Sequence, residues 1–168
     1  MSIKVFSPDY MDDLVFQAKA APRRRQHRNI HTDYADPCQR LFNAIEPDSY
    51  IRPHRHGVVP RAETMIAVRG LMVLVTFDDY GNVVDIVRFG VDGDGQDVAV
   101  GVEILPGCWH TVISQKPGSV LLELKAGPFD PAHPKEMAPW APEEGSAEAV
   151  GYLQGLFGLA GWGVSCCV

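Results

Sequence analysis

Residues 50–56 read Tyr50-Ile51-Arg52-Pro53-His54-Arg55-His56. In extended chain, alternate side chains share a face, so Tyr50, Arg52, His54 and His56 point the same way. Two imidazoles two residues apart on one face are placed to bind a single metal ion. Glu63 follows at the start of an apolar run, and a hairpin through residues 57–62 would return its carboxylate to the histidines. A third imidazole, His110, opens the run Trp109-His110-Thr111 after Pro106-Gly107. Three imidazoles and a carboxylate suit one divalent transition metal (Fe, Mn, Ni, Co or Zn) and leave coordination positions for a ligand.

Outward from this stretch the chain consists of short extended runs separated by turns. Residues 39–45, 62–69, 71–78, 82–89, 97–105, 109–115 and 119–126 read as strands. Asp79-Tyr80-Gly81 and Lys116-Pro117-Gly118 read as the turns of two hairpins. Sixteen glycines and 13 prolines are dispersed rather than gathered in a linker. The pattern is all-β, an antiparallel jelly-roll barrel. Ahead of it, Ser7-Pro8-Asp9 caps a short N-terminal helix with Met11, Leu14, Val15 and Ala18 on one face, ended by Pro22. Behind it, residues 128–142 are proline-rich, residues 143–159 have room for one short helix, and residues 155–168 are apolar, glycine-rich and without an assignable pattern. The division is therefore 1–38 helix and arm, 39–127 barrel and 128–168 irregular or helical C-terminal extension of one domain.

The chain has 168 residues, 46% of them hydrophobic, the composition of one globular domain. Its formal net charge of -6 argues against a protein that coats nucleic acid or an anionic membrane. No apolar run is long enough to span a bilayer, and Asp9, Asp12 and Asp13 break the N-terminal stretch as a secretory signal, so a cytoplasmic location is expected. Cys38, Cys108 and the adjacent Cys166 and Cys167 form no zinc-ligand or disulfide spacing. Cys108 shares the face of His110 and reads as small core filler ahead of a ligand. Asp92-Gly93-Asp94-Gly95 reads as a turn.

Other side chains qualify for roles around the metal. Arg52 presents a planar fork for a carboxylate or phosphate, or pairs with a surface acid. Tyr50, Glu123 and Lys125 are candidate bases. Glu123 and Lys125 alternate onto one strand face, as a buried proton-transfer pair or an exposed ion pair. The basic stretch at residues 23–31 reads as an arm folded over the pocket with His27, Asn29 and His31 toward substrate, as a phosphate patch, or as a solvated charge run. No aromatics interleave its arginines, which argues against nucleic acid.

His54, His56, Glu63 and Gly70, followed by Gly107 and His110, resemble the two motifs of the cupin superfamily. The spacer between His56 and Glu63 is longer than usual, Pro106 abuts Gly107, and Ser114 stands where asparagine is usual. That resemblance implies a cupin double-stranded β-helix with the metal on His54, His56, Glu63 and His110. A narrower likeness runs from about residue 23 to 143. Gln39-Arg40, Asn43-Ala44, Tyr50 through His56, Trp109-His110-Thr111, Glu123-x-Lys125-x-Gly127-Pro128 and Trp140-Ala141-Pro142 are similar to the WbuC-type cupin-fold metalloproteins. It implies surface-polysaccharide biosynthesis and adds Asn43 to the substrate-binding residues; the cupin likeness implies a homodimer. The resulting expectation is a metal-dependent isomerase or epimerase acting on a sugar-like or nucleotide-sugar-like molecule. A metal-dependent oxygenase, a non-catalytic ligand sensor and, from the apolar tail, a structural partner in an assembly complex are its alternatives.

Overall fold

Helix α1 (Pro8–Ala20) begins at Ser7, whose hydroxyl accepts from Tyr10 N–H at 3.2 Å, with proline in the first turn where no amide donor is missed. Met11, Leu14, Val15 and Ala18 form its buried stripe, as the helical spacing predicts. The structure is a computed structural model and describes residues 3–56, 61–93, 98–132 and 135–161. The apolar, Cys-containing end of the tail and part of the Asp92–Gly95 turn lie outside the described residues.

The strands are β1 (Arg25–Asn29), β2 (Cys38–Ile45), β3 (His54–Arg55), β4 (Glu63–Arg69), β5 (Leu71–Phe77), β6 (Val83–Gly90), β7 (Gly101–Ile104), β8 (Trp109–Ser114), β9 (Ser119–Ala126) and β10 (Glu136–Met137). Helix α2 (Ala147–Ala160) follows. Among the described residues the strands form two antiparallel five-stranded sheets, ordered β1-β2-β9-β4-β7 and β10-β3-β8-β5-β6. Between them lies an apolar interior that includes Ile45, Met65, Met72, Leu74, Phe89, Val112 and Leu121. Helix α1 covers the outer face of the first sheet through Phe42, Ala44 and Val120. Helix α2 covers the second through Val73, Val75, Trp109 and Ile113. Because β5 and β8 are covered on both faces, they read as nearly continuous apolar runs rather than as alternations.

Two expected pairings are corrected. β8 and β9 are not a hairpin: β8 pairs with β3 and β5, whereas β9 pairs with β2 and β4. The turn between them carries the chain from one sheet to the other, as a jelly roll requires. Likewise β3 and β4 lie in opposite sheets, so Glu63 meets the histidines across the barrel interior and not along a hairpin. Gly70 marks the corner between β4 and β5. Its φ is +69°, and a Cβ there would stand 2.2 Å from Ser119 Oγ, so any side chain would meet both backbone strain and a clash. No helix among the described residues is long and apolar enough to cross a membrane.

Candidate metal centre

His54 and His110 are directly opposed residues of neighbouring strands, so both rings project to the same side of the sheet, their centroids 4.5 Å apart. Glu63 enters from the facing sheet. One donor atom each from His54, Glu63 and His110 lie within 4.8 Å of one another.

The tautomers are set by the backbone. His54 Nδ1 lies 3.0 Å from the carbonyl of Arg52, and His110 Nδ1 lies 2.9 Å from that of Cys108. Each Nδ1 therefore carries a proton and donates it to that carbonyl, so that in the neutral ring Nε2 is a lone pair toward the interior. His110 Nε2 lies 3.2 Å from Glu63 Oε2, yet neither atom has a hydrogen-bond partner, and both are buried. Two buried acceptors facing each other are costly unless a cation lies between them. The donor set fits a transition metal: two imidazole nitrogens and a carboxylate, with both rings oriented through their second nitrogens.

His56 is placed differently from the other expected ligands. Its Nε2 is 2.9 Å from Glu63 Oε1 and stands outside the group that converges within 4.8 Å. Lys125 is the register partner of Glu63, and its Nζ lies 2.5 Å from Glu63 Oε1 and 3.3 Å from Glu123 Oε1. Burial opposes ionisation of Glu63, but the contact with His56 and the ammonium of Lys125 outweigh it and hold the carboxyl well below its ordinary range. Burial and the nearby Glu63 charge push Glu123 up, against the pull of Lys125. Burial pulls Lys125 down, but Glu123 and Glu63 prevail and its ammonium is held more firmly than usual. Burial keeps His54 neutral well below the usual imidazole range, helped by the positive charge of Lys135.

These groups open onto a cavity of about 620 Å³ between the sheets. Of the expected site residues, His27, Asn43, His54, His56, Glu63, His110, Glu123 and Lys125 line it. Tyr50 and Arg52 do not, and their expected place on the histidine face is corrected. Pro53 has no amide to donate to a ladder, and β3 begins only at His54, so strand alternation does not extend back to residue 50. Tyr50 Oη donates to the Pro142 carbonyl at 3.0 Å, and Arg52 donates to the Ala138 carbonyl at 2.8 and 3.2 Å. Both clamp the C-terminal segment. Asn29 and His31 also lie away from the cavity: Asn29 is exposed at the end of β1, and His31 Nδ1 accepts from Arg40 N–H at 3.0 Å. Cys108 packs against the barrel interior, and burial pushes its thiol up.

Three lining cations were not expected at the site: Arg23, Arg25 and Lys135. The arginines belong to the basic stretch, where the polar strand β1 turns Arg25 inward alongside His27. Lys135 follows from β10, which pairs Glu136 with Arg55 on the outer face and so turns residue 135 inward. Its only sequence signal is its position beside Glu136.

Comparison with solved structures agrees with this architecture. A conserved protein with a double-stranded β-helix domain from Klebsiella pneumoniae subsp. pneumoniae is 14% identical, with a TM-score of 0.54 over 82% of this chain and 93% of that one. Protein SO0799 from Shewanella oneidensis is 10% identical, with a TM-score of 0.52 over 66% of this chain and 72% of that one. These likenesses show the fold, a cupin double-stranded β-helix. No curated protein matches. Residues 6–89 match the family model described as a domain of unknown function, DUF6016.

Proposed function

The chain belongs to the DUF6016 family, a domain of unknown function, and from that premise we propose that it is a metal-dependent enzyme acting on a small polar molecule. One observation carries this reading: the paired acceptors His110 Nε2 and Glu63 Oε2, buried and unpartnered at 3.2 Å, beside the free lone pair of His54. His54, Glu63 and His110 hold one divalent transition metal, and His56, 2.9 Å from the Glu63 carboxylate, stands beside them as the candidate fourth donor. When bound, such an ion supplies Lewis-acid polarisation of a carbonyl or hydroxyl oxygen.

The chain's own residues supply the rest. Lys125 fixes the orientation of Glu63 by a cross-strand ion pair. Glu123 presents a carboxyl to the cavity and is the candidate proton-transfer group, with Lys125 as its charge partner. Leu121, Met65 and Val112 close the inner wall against water. This arrangement favours isomerisation or epimerisation of a sugar-like or nucleotide-sugar-like molecule, and the likeness to WbuC-type proteins supports a place in surface-polysaccharide biosynthesis. Location in the cytoplasm and a homodimeric state belong to the same reading.

The test is metal content followed by turnover. Protein purified without chelators or a metal-binding tag is expected to carry about one transition metal per chain. Protein that neither retains nor takes up such a metal contradicts the reading. Metal-loaded protein that binds nucleotide sugars or keto sugars with neither conversion nor oxygen uptake is a sensor and not an enzyme.

A further inference from the structure

The cavity's charge is unbalanced. Arg23, Arg25, Lys125 and Lys135 line it, against the carboxylates of Glu63 and Glu123, in a chain of net charge -6. Lys125 is satisfied by both of those carboxylates. Arg25 is tied by a two-pronged contact to Glu144, 2.7 Å to each oxygen, and Glu144 also pairs with Arg23 at 3.7 Å. Lys135 has no hydrogen-bond or ion-pair partner among the described residues, although it is only partly exposed and lines the cavity. Burial works against the Lys135 ammonium, and Glu144 and Glu123 attract it only from beyond ion-pair distance, so an anion arriving in the cavity lowers the cost of keeping it charged.

A second group marks the same space. Asn43 lines the cavity opposite His27 on β1, and its Oδ1 is buried without a hydrogen-bond partner. A buried amide oxygen left open toward a cavity requires a donor, and a hydroxyl on the ligand supplies one.

We propose that Lys135 and Asn43 form an anion subsite, in which the Lys135 ammonium takes the carboxylate or phosphate of a small substrate and Asn43 takes a neighbouring hydroxyl. This deepens the functional reading, since it assigns a substrate class to the cavity of the metal centre. The register of β10 against β3 ties the two parts together: Met137 is the partner of His54, so Lys135 is two residues from the strand position facing a metal ligand.

The experiment is calorimetric titration of inorganic phosphate, glycolate and acetate into the full chain, metal-loaded and chelated, with metal content measured on the same samples. Phosphate or glycolate is expected to bind, and whichever binds more tightly identifies the anion. Acetate, which lacks the hydroxyl, binds more weakly than glycolate. Lys135→Met is expected to weaken binding by about tenfold or more with metal content unchanged, while Lys135→Arg stays within about threefold. Binding of neither anion, or equal binding by Lys135→Met, overturns the subsite and leaves the metal reading standing. If the protein takes up no metal, that reading falls, and the titration of chelated protein still decides the subsite.

Discussion

The two halves of the barrel interior are built on the same strands and face the same space, yet one is charged and the other apolar. On β4 the inward positions run Glu63, Met65, Ala67; on β8 they run His110, Val112; on β9 they run Lys125, Glu123, Leu121. A step of two residues along each strand crosses from metal donors or ion pairs into packed hydrocarbon. Burying charged and imidazole groups beside a cavity costs stability that the apolar half offsets. The comparison therefore assigns ligand chemistry to one end and fold stability to the other, and every variant below except the last acts on one end alone.

The largest effect is expected from His110→Ala or His54→Ala. Either removes a lone pair held in place by its own backbone carbonyl, and bound metal measured by elemental analysis should fall from about one per chain to nearly none. Melting of these variants should stay close to that of the metal-free parent, because the apolar half is untouched. Glu123→Gln should retain metal while lowering turnover about 10²- to 10⁴-fold in a steady-state assay. Metal loss in that variant would place Glu123 in the ligand set instead.

At the other end, Phe89 is fully buried in the apolar cluster. Phe89→Ala should destabilise by about 3–5 kcal/mol in denaturant unfolding and leave the metal stoichiometry of the folded protein unchanged. A metal deficit in that folded variant would show that the two halves are coupled.

The smallest effect concerns the clamp beside the cavity. Burial raises the Glu144 carboxyl, but its contacts with Arg25 outweigh this and hold it below its ordinary value of 4.5. A depressed folded-state pKa contributes stability that is present above the unfolded value and lost as pH falls through the folded one. Unfolding curves at pH 7 and at successively lower values below about 4.5 should show part of the parent's acid sensitivity missing from Glu144→Gln. An unchanged pH profile would mean that Arg25 does not stabilise the charged carboxylate.

The sequence made these elements legible to different degrees. β4, β6 and β9 carry alternation or β-branched runs, and β5 and β8 carry apolar runs of strand length, so their existence follows from burial. The histidines and Glu63 stand out because their residue types and spacing are uncommon by chance. β1 was hidden, since Arg25-Gln26-His27-Arg28-Asn29 has no apolar period and its place is fixed by backbone pairing to β2. β10 is two residues long and is defined only by its partner β3. Lys135 was hidden with it. Tyr50 and Arg52 leave the histidine face because alternation breaks at Pro53, where the ladder has no donor, and β3 begins only at His54. Which sheet each strand joins depends on the corner turns, and the alternation within strands carries no information about that.

Diffraction from crystals of the metal-loaded protein, collected at the absorption edge of the bound element, tests the central claim most directly. The account predicts one anomalous peak within coordination distance of Nε2 of His54, Nε2 of His110 and the Glu63 carboxylate. A peak held by other residues, or no peak between those three side chains in protein that contains metal, would contradict it.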